Sequence, residues 1–370
     1  MQKKDRYIVI MAGGRGERFW PVSRERKPKQ LITLLGERSF LQRTVDRVKS
    51  IVPLENILII TNAVQAAAVS RQLPELPKRN IIGEPCGRDT CAAVALGAVL
   101  VGARSENGVM AVLPADHVIP DDAKFRGVVL DSMRLAKRES SMVTIGIQPH
   151  EPATGYGYIQ VGAKLRNASV ASLKSTFFSA KKFVEKPSLS KAQRYLKSGS
   201  YRWNAGMFIW SYETIAAELQ RQRPKLFEVA NRWRSIRSLV KLNAALAKDY
   251  PALEKISVDY AIMENARNII CADGAFGWDD LGSWPALARH VQADKSGNTT
   301  VAELVQIDSA DNIIFDARTR NRNPIALVGV SDMIVVQTDD ATMVASKTES
   351  QNIKQLVAQL AKDKRFAHLV

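Results

Sequence analysis

Short, almost uniformly apolar runs punctuate the first part of the chain and alternate with longer segments of mixed polarity. "YIVIM" (residues 7–11), "ILIIT" (57–61), "VMAVL" (109–113) and "VTIGI" (143–147) read as strands buried on both faces. Between them, "SFLQRTVDRVKSI", "CAAVALGAVLVGA" and "AKFRGVVLDSMRLAKRE" have the length and make-up of helices. Asp89 or Thr90 is the expected N-cap of the Ala/Val-rich one. Strand–helix alternation predicts an α/β fold with a doubly wound, mostly parallel, Rossmann-like sheet. Ligands on such sheets collect beyond the C-terminal ends of strands, so a polar motif just after a strand is a candidate site.

Further strands are expected at "KKFVE" (181–185), "GMFIW" (206–210) and "NIICA" (268–272), with a helical block over 213–248 interrupted at Pro224. Around "QADKSGNTT" (292–300) the composition turns small and polar. Beyond it, "VAELVQIDS", "NIIFDA", "PIALVG" and "MIVVQTD" read as short strands separated by turns, with no helices between. The last stretch, "TESQNIKQLVAQLAKD", opens on a capping box of Thr348 and Gln351. It then places Ile353, Leu356, Val357, Leu360 and Ala361 on one helical face. The pattern predicts two parts, 1–292 and 293–370. The second is a small β unit plus a terminal helix, which packs either within the chain or against a second subunit.

Composition is that of a globular chain with a substantial core: 46% hydrophobic and 24% charged over 370 residues. Charge changes the picture more. The formal net charge is +16, and residues 1–50 alone carry 13 Lys/Arg against 5 Asp/Glu. A basic excess of this kind suits nucleic acid, a membrane surface or phosphorylated small molecules. Cys86, Cys91 and Cys271 match neither a zinc site nor a redox pair, which points to a reducing, cytoplasmic setting. The apolar run at 91–103 is too short to span a bilayer, so no membrane is expected.

Much of the early charge lies in "MAGGRGERFWPVSRERKPKQ" (11–30), directly after the first strand. Gly13, Gly14 and Gly16 let backbone N–H groups wrap an anion. The dinucleotide fingerprint is broken, because Phe19 stands where its third glycine belongs, and no Gly-Lys completes a Walker loop. A tight turn and a phosphate cradle both fit the glycines. Arg15, Arg18, Arg24, Arg26, Lys27 and Lys29, on a segment that Pro21 and Pro28 keep from forming one helix, favour a polyphosphate.

This stretch resembles the signature of the sugar-1-phosphate nucleotidylyltransferases, GG-x-G-x-R-[LF]-[WYF]-P-x-[ST]-R-x-x-x-P-K-Q, and within them the mannose-1-phosphate guanylyltransferase branch. "EPCGRDT", "LPADH", "TGYGYI", "FVEKP", "WNAGMFIW", "SVDYAIME" and "WDDLGSW" continue the likeness over about residues 5–290. The resemblance implies a nucleotide-diphospho-sugar transferase type of sheet with a left-handed β-helix-like C-terminal unit. It implies transfer of GMP from GTP to mannose 1-phosphate with Mg²⁺, in a homodimer. The nucleophile is then a phosphate, already anionic near neutral pH, and no general base is needed. Charge neutralisation and in-line alignment are needed instead.

By the same resemblance, Arg18 and Lys29 hold the triphosphate and Lys186 grips the sugar phosphate. Ala12, Gly13, Gly14, Gly16, Glu84, Pro85, Arg88 and Thr90 line the nucleotide site. Gly157, Glu185 and Asn204 serve the sugar, while Asp116 and Asp280 hold the metal. Read from the residues alone, Asp116 and Asp280 are equally caps or turn residues, Lys186 is a surface lysine, Asn204 a turn residue and Gly157 part of a hairpin. His117 is expected to pack against or orient Asp116, and Asp279 is the weaker metal candidate. Asp89 departs from the family's usual Asn. A different hexose-1-phosphate and nucleotide pair is the nearest alternative. A non-catalytic sensor is disfavoured by the presence of Asp116, Asp280, Lys29 and Lys186. Nucleic-acid binding is disfavoured because neither an RNP motif nor a zinc pattern occurs. Longer relatives carry a histidine-bearing isomerase domain; no such cluster stands here, so one activity is expected.

Overall fold

A computed structural model describes residues 1–320 and 322–370. Its packing divides the chain into two units: Met1–Gly13 with Thr44–Asp279, and Gly14–Arg43 with Asp280–Val370.

The first unit is built on a sheet of β1 (Arg6–Ala12), β2 (Ile57–Asn62), β3 (Ile81–Glu84), β4 (Val109–Pro114), β5 (Met142–Ile147), β6 (Tyr158–Lys164), β7 (Phe177–Val184), β8 (Tyr201–Ser211) and β9 (Ile269–Asp273). Their order is β3-β2-β1-β4-β8-β5-β9-β7-β6. The pairings make β7 and β8 antiparallel to all their neighbours, and the remaining strands point one way. The apolar runs of the first four expected strands are buried along β1, β2, β4 and β5. The helix Asp89–Gly102 is apolar all round because it is covered all round. It lies so close to β1 that a Cβ on Gly97 would come within 2.7 Å of Val9 Cγ1. Neither expected cap forms on it. Asp89 itself adopts φ +53°, and the Thr90 hydroxyl turns to another segment. Asn and Asp are the side chains that best tolerate left-handed backbone. The departure from Asn at position 89 therefore preserves the local conformation.

The second unit carries β10 (Thr299–Val301), β11 (Leu304–Ile307), β12 (Ile313–Asp316), β13 (Ile325–Val328), β14 (Met333–Gln337) and β15 (Thr342–Ser346). β10, β12 and β14 stack in parallel, with β15 antiparallel at the end, and β11 stacks in parallel on β13. This alternation between two stacks is a β-helical arrangement, with Ile314, Ile325, Leu327 and Val335 packed in its interior. Its corners repeat. Gly297, Asp311 and Asp332 adopt positive φ, and each precedes an inward position. Asn298 and Asn312, both fully buried, form a ladder there. Asn312 Nδ2 donates to Asn298 Oδ1 at 3.0 Å and to Val330 O at 3.0 Å, and Asn312 Oδ1 accepts from Met333 N at 2.9 Å.

The basic loop folds into this second unit through its aromatic residues. Trp284 packs between Phe19 and Phe315, at centroid distances of 5.2 and 5.3 Å. Trp20 Nε1 donates to Leu369 O at 2.8 Å, and Arg24 pairs with Asp340 at 2.8 Å. The terminal helix Ile353–Leu360 packs within the chain, against the turn Glu17–Phe19, burying Ile353 and Val357. Its entry is a 3₁₀ turn capped by Ser346 instead of the expected Thr348 box. Among the described residues no helix is long and apolar enough to cross a membrane.

Removing the Asn312 side chain breaks three hydrogen bonds at ~1 kcal/mol each and takes the acceptor from Met333 N. Asn312→Ala should therefore lower unfolding stability by about 3 kcal/mol in urea melts. A loss under about 1 kcal/mol would show that the ladder does not hold the coils.

Candidate functional site

Three groups of residues gather beyond strand ends. The first lies after β1 and β3. β1 delivers Ala12 and Gly13, and β3 ends on Glu84, which is buried. A Cβ on Gly13 would sit 3.2 Å from Glu84 Oε2, so the glycine leaves the carboxylate its room. Tyr250 donates its hydroxyl to Glu84 Oε1 at 2.8 Å. Burial pushes the Glu84 carboxyl up to about 7, against the opposing effect of that hydrogen bond. Pro85 follows directly, half-buried. Arg88 and Thr90 are engaged by the protein itself. Arg88 Nε donates to Tyr250 O at 3.1 Å and its Nη2 to Pro251 O, while Thr90 Oγ1 accepts from Val258 N at 2.8 Å.

The second group joins β6, β7 and β8. Gly157 O accepts from Asn204 N at 2.8 Å. The space a Cβ on Gly157 would take is filled by Glu185 Oε2, which would lie 2.5 Å away. Lys186, exposed and at φ +40°, donates to Glu185 Oε1 at 2.7 Å. A lysine in the left-handed region is strained, and such strain concentrates at functional sites. Asn204 acts as a turn residue and as more: its Oδ1 accepts from Gly206 N at 3.0 Å, and its Nδ2 donates to Asp259 Oδ1 at 2.6 Å. Burial, reinforced by the Glu185 charge, raises the Asp259 carboxyl to about 6. Asp259 has no assigned role in the sequence reading, although "SVDYAIME" contains it. Tyr250 carries no sequence signal at all.

The third group belongs to the second unit. Lys29 is buried, with its ammonium 5.8 and 5.6 Å from the ring centroids of Phe19 and Phe40, and it donates to Asp280 O. Gly16, at φ +63°, is required there because a Cβ would collide with Lys29 Cβ. Gln30 Nε2 donates to Gly14 O at 3.0 Å, while a Cβ on Gly14 would meet nothing within 4 Å. Gly14 is thus the open glycine of the loop. Arg18 is exposed on the turn Glu17–Phe19. Arg24, by contrast, is held by Asp340 and lies over the Trp20 ring at 5.6 Å, a structural role.

Asp116 follows β4 within the first unit, and Asp280 begins the second. Val118 and Asp279 exchange backbone hydrogen bonds of 2.8 and 3.0 Å within the first unit. Two carboxylates suit a hard divalent ion that completes its shell with phosphate and water. Among the described residues no group of three or more His, Cys, Asp or Glu forms a closed cage. His117 Nδ1 accepts from Trp278 Nε1 at 3.0 Å, with the rings edge to face.

Comparison with known proteins places these groups in context. Residues 7–297 match the nucleotidyl transferase family, and residues 302–360 match the MannoseP isomerase/GMP-like beta-helix domain. The chain is 37% identical to a mannose-1-phosphate guanylyltransferase of Salmonella montevideo, over 98% of this chain and 75% of the relative. It is 33% identical to the xanthan biosynthesis protein XanB of Xanthomonas campestris pv. campestris strain B100, over 95% of this chain and 72% of the relative. Among solved structures, a Thermus thermophilus protein described as a mannose-1-phosphate geranyltransferase superposes with a TM-score of 0.82. That likeness has 33% identity and covers 96% of this chain and 99% of the other.

Glu84 generates a prediction with a definite sign. Its carboxyl rises from an ordinary 4.5 to about 7 in the folded chain, so the folded state holds the proton more tightly. Stability from this residue is full below the unfolded value and is lost as pH rises through the folded one. Glu84→Gln should therefore be more stable than the parent at pH 8, by up to roughly 3 kcal/mol, with the gap closing below about pH 5. Denaturant melts across that range test it; a gap that widens toward acid would refute the burial argument.

Proposed function

This chain belongs to the nucleotidyl transferase family, and on that premise we propose that it transfers GMP from GTP to mannose 1-phosphate, giving GDP-mannose and pyrophosphate. The observation that carries the proposal is likeness to mannose-1-phosphate guanylyltransferases over nearly the whole chain, both units included. Enzymes of this kind generally use a divalent metal, and we assign Mg²⁺, held by Asp116 and Asp280. The metal's contribution when bound is to neutralise phosphate charge.

In the proposed reaction a phosphate oxygen of mannose 1-phosphate attacks the α-phosphorus of GTP. A new P–O bond forms, the bond to the β-phosphate oxygen breaks, and its electron pair leaves with pyrophosphate. The nucleophile is already an anion, so no proton has to be removed. The obstacle is repulsion between two polyanions, and cations placed beforehand lower it. Arg18 and Lys29 take the triphosphate, with the N–H groups of Ala12, Gly13, Gly14 and Gly16. Lys186 takes the sugar phosphate, and Glu185 and Asn204 take sugar hydroxyls above Gly157. Glu84, next to Pro85, reads the base, because an ionised carboxylate accepts from the N–H donors of guanine, which adenine does not offer at those positions. Arg88 and Thr90 shape that pocket through the segment they hold. A cytoplasmic homodimer supplying a polysaccharide precursor completes the reading; the XanB name supports the last part.

The deciding experiment is pyrophosphate release for four nucleoside triphosphates against mannose-, glucose- and N-acetylglucosamine-1-phosphate. GTP with mannose 1-phosphate should give the highest kcat/KM, and preference for another pair would replace the assignment. Asp116→Ala and Asp280→Ala should each lower kcat by about a thousandfold or more. Near-normal kinetics in both would remove the metal roles. Lys186→Ala should raise KM for the sugar phosphate at least about tenfold and leave that for the nucleotide nearly unchanged. The opposite pattern would mean that the two subsites are exchanged.

A further inference from the structure

Residues 250–260 run over the first unit as a strap. Its middle is largely exposed at Pro251, Ala252, Glu254 and Lys255, and its ends dip inward at Tyr250 and Val258. Three successive anchors come from the segment 88–91. Arg88 donates to the carbonyls of Tyr250 and Pro251, Cys91 N donates to Ile256 O at 3.1 Å, and Val258 N donates to Thr90 Oγ1 at 2.8 Å. At the first end the Tyr250 hydroxyl holds Glu84, and its ring stacks on Trp233 at 5.7 Å. Trp233 Nε1 in turn donates to Asp249 Oδ2 at 2.9 Å. At the far end Asp259 holds the Asn204 amide. Because Gly206 N occupies Asn204 Oδ1, the Asp259 contact fixes which way the amide faces and leaves one N–H to donate to a ligand. The strap thus ends on one residue of each proposed subsite.

We propose that the 250–260 strap couples base reading to sugar holding, with Tyr250 and Asp259 as positioning residues for Glu84 and Asn204. The inference rests on the functional reading above and adds a link between its two subsites. Tyr250, Leu253, Ile256 and Val258 pack into the core of the first unit, and Glu254 pairs with Arg223 at 3.1 Å. A segment held as one body along its length carries a shift at one end to the other. Tightening Glu84 on a base pulls on Tyr250, Thr90 and Cys91 keep the strap in register, and Asp259 sets Asn204. Such linkage is reciprocal: whatever factor the nucleotide adds to sugar-phosphate affinity, the sugar phosphate adds to nucleotide affinity.

Calorimetric titration of mannose 1-phosphate, with and without α,β-methylene GTP to block transfer, measures the coupling. The parent protein should bind the sugar phosphate about tenfold more tightly in the presence of the nucleotide. Thr90→Val removes the acceptor for Val258 N and should reduce that factor to under about twofold. Tyr250→Phe keeps the stacked ring and should lower the GTP-over-ATP ratio of kcat/KM about tenfold, leaving the sugar-phosphate KM within about twofold. Asp259→Ala should raise the sugar-phosphate KM about tenfold with a smaller change in kcat. Asp259→Asn, which keeps an oxygen for Asn204, should recover most of the loss.

An unchanged coupling factor in folded Thr90→Val overturns the proposal. So does an unaltered sugar-phosphate KM in Asp259→Ala when Asn204→Ala raises it. If Thr90→Val does not fold, Tyr250→Phe carries the coupling measurement with the same criterion. A mistaken functional reading declares itself separately, because the parent protein then turns over another pair in the pyrophosphate panel, and the strap is tested on that pair.

Discussion

A lysine ammonium buried beside two phenylalanine rings sets the geometry of the glycine loop. Lys29 is 5% exposed and donates to the Asp280 carbonyl. Placing a cation there demands that the surrounding chain be fixed, because a buried charge is tolerated only where its donors are met. Gly16 adopts a left-handed conformation to admit the lysine stem, Gln30 ties back to the Gly14 carbonyl, and the aromatic residues of the loop lock into Trp284. The loop that looks flexible by composition is therefore a rigid support. Gly14 is open and Arg18 is exposed on that support.

Electrostatics divides the other two groups by purpose. The Glu84 carboxyl sits in a buried place that resists ionisation, and a ligand offering N–H donors is what makes the charged form worthwhile there. Around Glu185, Lys186, Asn204 and Asp259, charges and hydrogen bonds compensate one another at short range. The chemistry proposed here asks for this: sites preset for anions and hydroxyls, and no acid–base machinery.

The fold was largely legible in the sequence because burial on both faces leaves an unmistakable apolar run, as in β1, β2, β4 and β5. β3 escaped notice because "IIGE" is four residues long and ends on Gly and Glu, and β6 because its second half is exposed. Motifs led to Glu84, Lys29, Lys186 and Asn204, but not to their surroundings. Tyr250 and Glu84 are 166 residues apart in the chain, and Thr90 and Val258 are 168 apart. Contacts of that separation leave no local pattern to read. The same holds for the grouping of 14–43 with the C-terminal residues, which follows from Phe19 and Trp20 meeting Trp284 and Leu369. The expectation that Arg88 and Thr90 face a base failed to foresee that their polar atoms hold a neighbouring segment.

The repeated corners of the β-helical unit have an evolutionary consequence. Each coil closes on its predecessor through the same left-handed residue and inward position, at 297–298, 311–312 and 332–333. An architecture assembled from such nearest-neighbour units changes length by whole turns, since a new turn satisfies its backbone against the one before. Descendants of this chain can lengthen or shorten their stack at little thermodynamic penalty, provided that Phe315 still meets Trp284, Asp340 still meets Arg24 and Leu369 still meets Trp20.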